Sequence, residues 1–146
     1  MSLVKSFLFS ALLLFVFDSV VVAQNIEIVV SGVKSGKGQA LIAVFKDQES
    51  YEKREPFIGL QFDKSKIVDG QMTTSIELEP GVYGISFLDD KNKNGEMDNN
   101  WIGIPKEGFG FSNFEHKGFK KPRFDDFQIE IMEGETRSIV IKMKYM

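Results

Sequence analysis

Beyond residue 23 the apolar positions recur at every second residue, not every three to four. Ile26, Ile28 and Val30 alternate with Glu27 and Ser31, which is the period of a strand with one face on a core. Ala40 to Phe45 is apolar on both faces, as in a central strand. Gly36, Lys37 and Gly38 separate these runs and predict a hairpin between them. Lys46 to Lys66 is charged early and then carries Phe57, Ile58, Leu60 and Phe62, so it predicts a long loop with one short edge strand. Met72, Thr74, Ile76 and Leu78 share one strand face. Pro80-Gly81 marks a turn, and Val82 to Leu88 follows with Tyr83, Ile85 and Phe87 on one side. Trp101 to Pro122 is rich in glycine and aromatics, has neither period, and predicts a long ordered loop. Phe127, Ile129 and Ile131 mark another strand, Gly134 a turn, and Ile139, Ile141, Met143 and Tyr145 the last strand. No segment carries a helical stripe. Six or seven strands are marked, and the expected fold is all-β: a single antiparallel β-sandwich of six to eight strands with long ordered loops.

The segment before this pattern has a different character. Lys5 precedes a nearly unbroken apolar run from Phe7 to Phe17, and Val21-Val22-Ala23 places compact residues before a cut. This predicts a secretory signal peptide over residues 1–23 and a β-sandwich domain over residues 24–146. The run is only about half of the ~20 residues a membrane span needs, so no span is expected after cleavage. The protein is therefore expected to be exported, either periplasmic or secreted. The leader carries one Lys and one Asp, so its removal leaves the net charge of −3 unchanged. That balance argues against nucleic acid, which requires a basic face. There is no cysteine, which excludes disulfides, thiol catalysis, thiolate metal sites and a lipoprotein anchor.

Chemistry is concentrated at Asp90-Lys91-Asn92-Lys93-Asn94-Gly95-Glu96-Met97-Asp98. Oxygen-bearing side chains stand at the first, third, fifth and ninth positions, with glycine at the sixth. That is the spacing with which a loop wraps one calcium ion. Asp90, Asn92, Asn94 and Asp98 would supply side-chain oxygens, and Glu96 its backbone carbonyl at the seventh position. Gly95 would take the left-handed turn. A helix-flanked calcium loop closes with glutamate at its twelfth position, but here that residue is Trp101. Asp89 and Glu107 are the additional candidates for closure, and Glu107 for holding the loop from behind. Two carboxylates only neutralise the ion, so the expected affinity is of the weak extracellular class, roughly 10⁻⁴ to 10⁻³ M. Magnesium fits less well, because it prefers rigid octahedral sites. The competing reading is a solvated hairpin turn, since Asn, Asp and Gly are common in turns.

Two segments, taken with Pro80-Gly81-Val82-Tyr83, carry a family resemblance. One is the stretch from Asp89 to Asp98; the other is Gly103-Ile104-Pro105-Lys106-Glu107-Gly108-Phe109-Gly110-Phe111-Ser112-Asn113. Together they resemble the bacterial family catalogued as domain of unknown function 2141, over nearly the whole chain after the leader. The resemblance implies a small exported protein of unassigned activity with a fold similar to the transthyretin-like or prealbumin-like sandwich. The family often has histidine just before the first loop aspartate. Here that position is Asp89, so no role of that histidine carries over.

The remaining candidates are weaker. Phe109, Phe111 and Phe114, with Trp101 nearby, are suited to stacking on a sugar or anchoring a partner protein in the cell envelope. The favoured alternative is that the rings fold inward and cap one end of the sandwich, with Gly108 and Gly110 turning the chain between them. His116 is the only histidine, and a surface position is expected for it, so that His116→Ala would leave the fold and any calcium response intact. A serine triad lacks its nucleophile elbow, and a catalytic zinc site lacks its histidines. Lys117, Lys120, Lys121 and Arg123 form a basic cluster diluted by Asp125 and Asp126. The leading expectation is a non-enzymatic exported module with a calcium loop supporting an aromatic recognition or capping loop. The alternatives are a small hydrolase working through carboxylates and an assembly component of the cell envelope.

Overall fold

A computed structural model describes residues 20–34 and 36–146. The leader before Val20 lies outside the described residues. The elements are β1 (Gln24–Ser31), β2 (Gln39–Phe45), α1 (Gln48–Lys53), β3 (Ile58–Asp63), β4 (Gln71–Leu78), β5 (Gly81–Asp90), β6 (Gly108–Phe111), α2 (Phe124–Phe127), β7 (Gln128–Ile131) and β8 (Arg137–Lys142). They form two sheets, β4-β1-β8 and β3-β2-β5-β6, with β7 also paired to β5. The expected β-sandwich is present.

The ten residues of β5 organise the larger sheet. β2 lies along one side of it. On the other side β7 pairs with Gly81 to Gly84 and β6 with Ser86 to Asp89. The core lies between the sheets. Ile26, Ile28 and Val30 of β1 and Ile139 and Ile141 of β8 pack with Ile42, Val44, Ile85 and Phe87. Full burial of each such side chain contributes about 1.5–3 kcal/mol. A second apolar cluster covers the outer face of the larger sheet: Phe45, Tyr51, Phe109, Phe111, Phe124 and Phe127.

Four features depart from the sequence pattern. β1 and β2 do not form a hairpin; they belong to different sheets, and the segment between them crosses the sandwich. Val33 in that segment donates its N–H to the Gly70 carbonyl, so the crossing is fastened to the turn before β4. β1 pairs with β8 in parallel, so the smaller sheet is mixed. The Lys46 to Lys66 stretch contains α1 as well as an edge strand. Asp47 caps that helix by accepting from the Ser50 N–H at 2.7 Å. Phe127 closes the four-residue α2 and does not begin a strand. Both helices are too short to show a stripe.

β6 was hidden inside a segment read as loop. Its sequence Gly-Phe-Gly-Phe does alternate, but glycine replaces the usual apolar residue on the inner face. The reason is space, not turning. A Cβ on Gly110 would stand 2.5 Å from Ile141 Cγ2 and 2.8 Å from the Lys142 carbonyl oxygen. The bare backbone lets β6 close against the β8 segment, where Ser112 bridges to Ile141 and Phe109 to Lys144. These bridges join the two sheets along one side. We expect Gly110→Ala to lower the unfolding free energy by about 1–3 kcal/mol in urea titration. Gly59→Ala, whose Cβ would find nothing nearer than 3.8 Å, is expected to change it by less than about 0.5 kcal/mol. Equal effects would contradict the close approach.

Candidate functional site

Asp89 and Asp90 end β5 and are both 0% exposed. A buried carboxylate needs partners, and strand alternation sends these two to opposite faces. Asp90 faces the loop that follows. Its Oδ2 accepts from Gln39 Nε2 at 2.7 Å and from the Gly95 N–H at 2.8 Å, and its Oδ1 accepts from the Asn94 N–H at 3.2 Å. Asn92 Oδ1 accepts from the Asn94 N–H at 3.2 Å, and Asn94 Oδ1 from the Glu96 N–H at 2.9 Å. The loop is a succession of side-chain-to-backbone turns. Gly95 takes φ +79°, as expected, and Lys93 is also left-handed at φ +61°.

Asn92, Asn94 and Asp98 come together. Asn92 Nδ2 donates to Asp98 at 2.6 Å and Asn94 Nδ2 at 3.1 Å. Glu107, 4% exposed, fastens the loop from behind. Its Oε1 accepts from the Lys91 N–H at 2.8 Å, and its Oε2 from the Asp98 N–H at 3.3 Å. Glu96 is exposed and gives its backbone N–H to Asn94. Among the described residues no group of three or more His, Cys, Asp or Glu is placed to hold a metal ion. The candidate set here is of another kind, two carboxylates and two amides; the Asn92 and Asn94 side chains meet Asp98, while Asp90 holds the Asn94 and Gly95 N–H groups.

Asp89 faces the interior. Its carboxylate forms a buried ion pair with Lys64, from the helical turn after β3, and accepts a hydrogen bond from the Tyr145 hydroxyl. Tyr145 in turn accepts from the Lys34 N–H at 2.8 Å. Of the two additional candidates, Glu107 is joined to the loop and Asp89 is joined to Lys64 and the chain terminus.

The aromatic segment divides. Phe109 and Phe111 are buried on the outer face of the larger sheet, with Phe114 packed against them. Trp101 is 94% exposed, at the tip of a turn whose Asn100 side chain accepts from the Ile102 and Ile104 N–H groups. His116 is not on the surface. It is 7% exposed, its ring meets Phe109 edge-on with centroids 5.3 Å apart, and its Nδ1 has no partner among the described residues. His116→Ala would therefore open a void beside Phe109 and is expected to weaken the fold.

A cleft of about 670 Å³ lies over this outer face. Strand register explains it. Gly59, Ala43 and Ser86 fall in one row across β3, β2 and β5, and no large side chain fills that row. Leu41, Leu88 and Phe109 form the neighbouring row, with Phe111 beside Ser86. Gly95, Glu96, Met97 and Asn99 border the cleft at the loop end; Tyr51, Arg54 and Lys121 border it elsewhere. Sequence periodicity could not find this site, because its floor is a coincidence of register among three strands.

The fold and site define a small β-sandwich with an Asx-rich loop at one end of an apolar cleft. Residues 28–139 match the family described as "Uncharacterized protein conserved in bacteria (DUF2141)", and the chain belongs to that family. No curated protein and no solved structure is significantly similar to the chain, so the transthyretin-like assignment rests on the resemblance alone.

Burial, with the Lys144 charge second, holds the His116 imidazole below its usual value. The unfolded chain takes up this proton near pH 6.5, and the folded chain only at lower pH. The stability it confers is full above about pH 6.5 and falls as pH drops toward the folded value. We expect urea unfolding to show this slope below about pH 6.5, and His116→Phe to flatten it. An unchanged slope in the variant would assign the titration to another group.

Proposed function

We propose that the protein is an exported, non-enzymatic binding module whose Asp90 to Asp98 loop takes one calcium ion. The observation that carries this reading is the convergence of Asn92 and Asn94 on Asp98, in a loop already wound on Asp90 and fastened at both ends by Glu107. Asp90, Asn92, Asn94 and Asp98 would hold the ion, with the Glu96 carbonyl. The ion would supply positive charge where two amide groups now partly balance Asp98. Glu107 acts on the backbone, keeping both ends of the loop in place. It immediately precedes β6, so the same residue that fixes the loop starts the aromatic strand. Met97 packs against the cluster of Phe109 and Phe111, a second link from loop to cleft.

The binding reading is favoured over a carboxylate hydrolase by the state of the buried acids. Asp89 is held by Lys64 and Tyr145, and both Glu107 oxygens by backbone N–H groups of the loop, so these two acids serve the fold. The assembly alternative is supported by β4, which pairs with β1 alone among the described residues and so offers a strand edge. Export rests on the leader sequence.

The test is thermal unfolding of the purified protein in chelator, then in calcium or magnesium. At ten times the dissociation constant, calcium is expected to add about 1.4 kcal/mol of stability, with a smaller effect of magnesium. Asp90→Ala is expected to abolish the calcium shift. An equal shift in Asp90→Ala and wild type would remove the ion from this loop.

A further inference from the structure

A second property of the cleft goes beyond the loop. Solvent-facing positions of a two-layer sandwich are normally polar, yet the central rows here carry Leu41, Ala43, Leu88 and Phe109. The first three remain partly accessible. The volume of about 670 Å³ lies within the range of small-molecule sites, roughly 300–1,000 Å³. The floor is flat, because Gly59, Ala43 and Ser86 project little, and it is flanked by the rings of Phe109 and Phe111. A flat apolar body matches that shape.

The charges at the border are unequal. Arg54 and Lys121 both line the cleft, and neither has a carboxylate within 4.0 Å among the described residues. Lys121 Nζ lies over the Tyr51 ring, 4.1 Å from its centroid, so the cation stands on an aromatic wall of the cleft. Arg54 terminates α1 three residues after Tyr51, in the left-handed conformation at φ +57°. Among the described residues that line the cleft Glu96 is the one acid, and it belongs to the opposite, loop end. One end of the cleft is therefore cationic and the floor apolar.

We propose that this cleft binds a small planar aromatic anion, its ring on the Ala43–Ser86 floor and its charged group between Arg54 and Lys121. The inference rests on the reading of the protein as a binding module, but not on calcium. Burial first, and then the neighbouring Arg54 charge, hold the Lys121 amine below its usual value, with Glu52 acting weakly the other way. An arriving anion relieves that repulsion, and Arg54 can meet a carboxylate or sulfonate with two N–H donors. Phe119, 78% exposed, adds an accessible ring at the border.

The probes are 8-anilinonaphthalene-1-sulfonate, an aromatic anion, and N-phenyl-1-naphthylamine, its uncharged relative, titrated by fluorescence into the purified protein. We expect saturable binding of the anion at one site. Arg54→Asn, which suits the left-handed position, with Lys121→Gln removes both charge-assisted contacts and is expected to weaken it by at least about tenfold. The same pair should leave the neutral probe unchanged. Ser86→Leu fills the floor row and breaks no hydrogen bond, so it is expected to abolish both probes without lowering the melting temperature. Binding that survives Ser86→Leu, or no saturable binding of either probe, would overturn the cleft. Anion binding insensitive to Arg54 and Lys121 would overturn the charge assignment. The calcium shift of the same sample reads the loop separately, so failure of the cleft and failure of the loop are distinguishable.

Discussion

Two adjacent carboxylates buried at the end of one strand set the terms for the rest of the molecule. An ionised carboxylate removed from water is costly unless hydrogen-bonded or paired, by several kcal/mol per ion. Asp89 and Asp90 are both wholly buried, and β5 turns them to opposite faces. Each then recruits its own structure. Asp89 draws in Lys64 from beyond β3 and Tyr145 from the chain terminus. Asp90 draws in Gln39 from the start of β2 and winds the following loop onto itself through the Asn94 and Gly95 N–H groups. The inner pair ties the larger sheet to the tail, and the outer one builds the loop.

The loop and the cleft are mechanically continuous. Glu107 holds Lys91 and Asp98 and then leads directly into β6, whose rings face outward while its glycines press against the β8 segment. Order in the loop is thereby order in the strand that carries Phe109 and Phe111. This arrangement gives a chain without cysteine a way to fix a long excursion between β5 and β6. A weakly held cation would take the place of the amide donors that face Asp98, within a loop otherwise already formed, which suits a structural ion better than a switch.

Much of this was legible in the sequence because alternation reports burial directly. β1, β4, β5, β7 and β8 follow their apolar period, and the Asx-rich spacing marked the loop in which Asn92 and Asn94 meet Asp98. What was not legible has physical causes. The partner of a strand is not encoded in its own alternation, so β1 and β2 read as a hairpin although they lie in different sheets. β6 escaped because its inner positions are glycines demanded by close packing. His116 read as a surface residue because burial of a lone polar ring depends on how the loop folds Phe109 and Phe114 over it, which no period reports. The cleft depends on three small residues aligned across strands, which only register can reveal.

Terbium luminescence sensitised by tryptophan tests the central claim most directly. Terbium substitutes for calcium at oxygen sites, and Trp101 is the only tryptophan in the chain. Its Cα is at most about 11 Å from that of Asp98, since each trans peptide advances about 3.8 Å. Excitation of Trp101 is predicted to give terbium emission that saturates at one ion per chain, is displaced by calcium, and disappears in Asp98→Ala. Emission no greater than that of free terbium, or emission unchanged in Asp98→Ala, would contradict a cation site between Asp90 and Asp98.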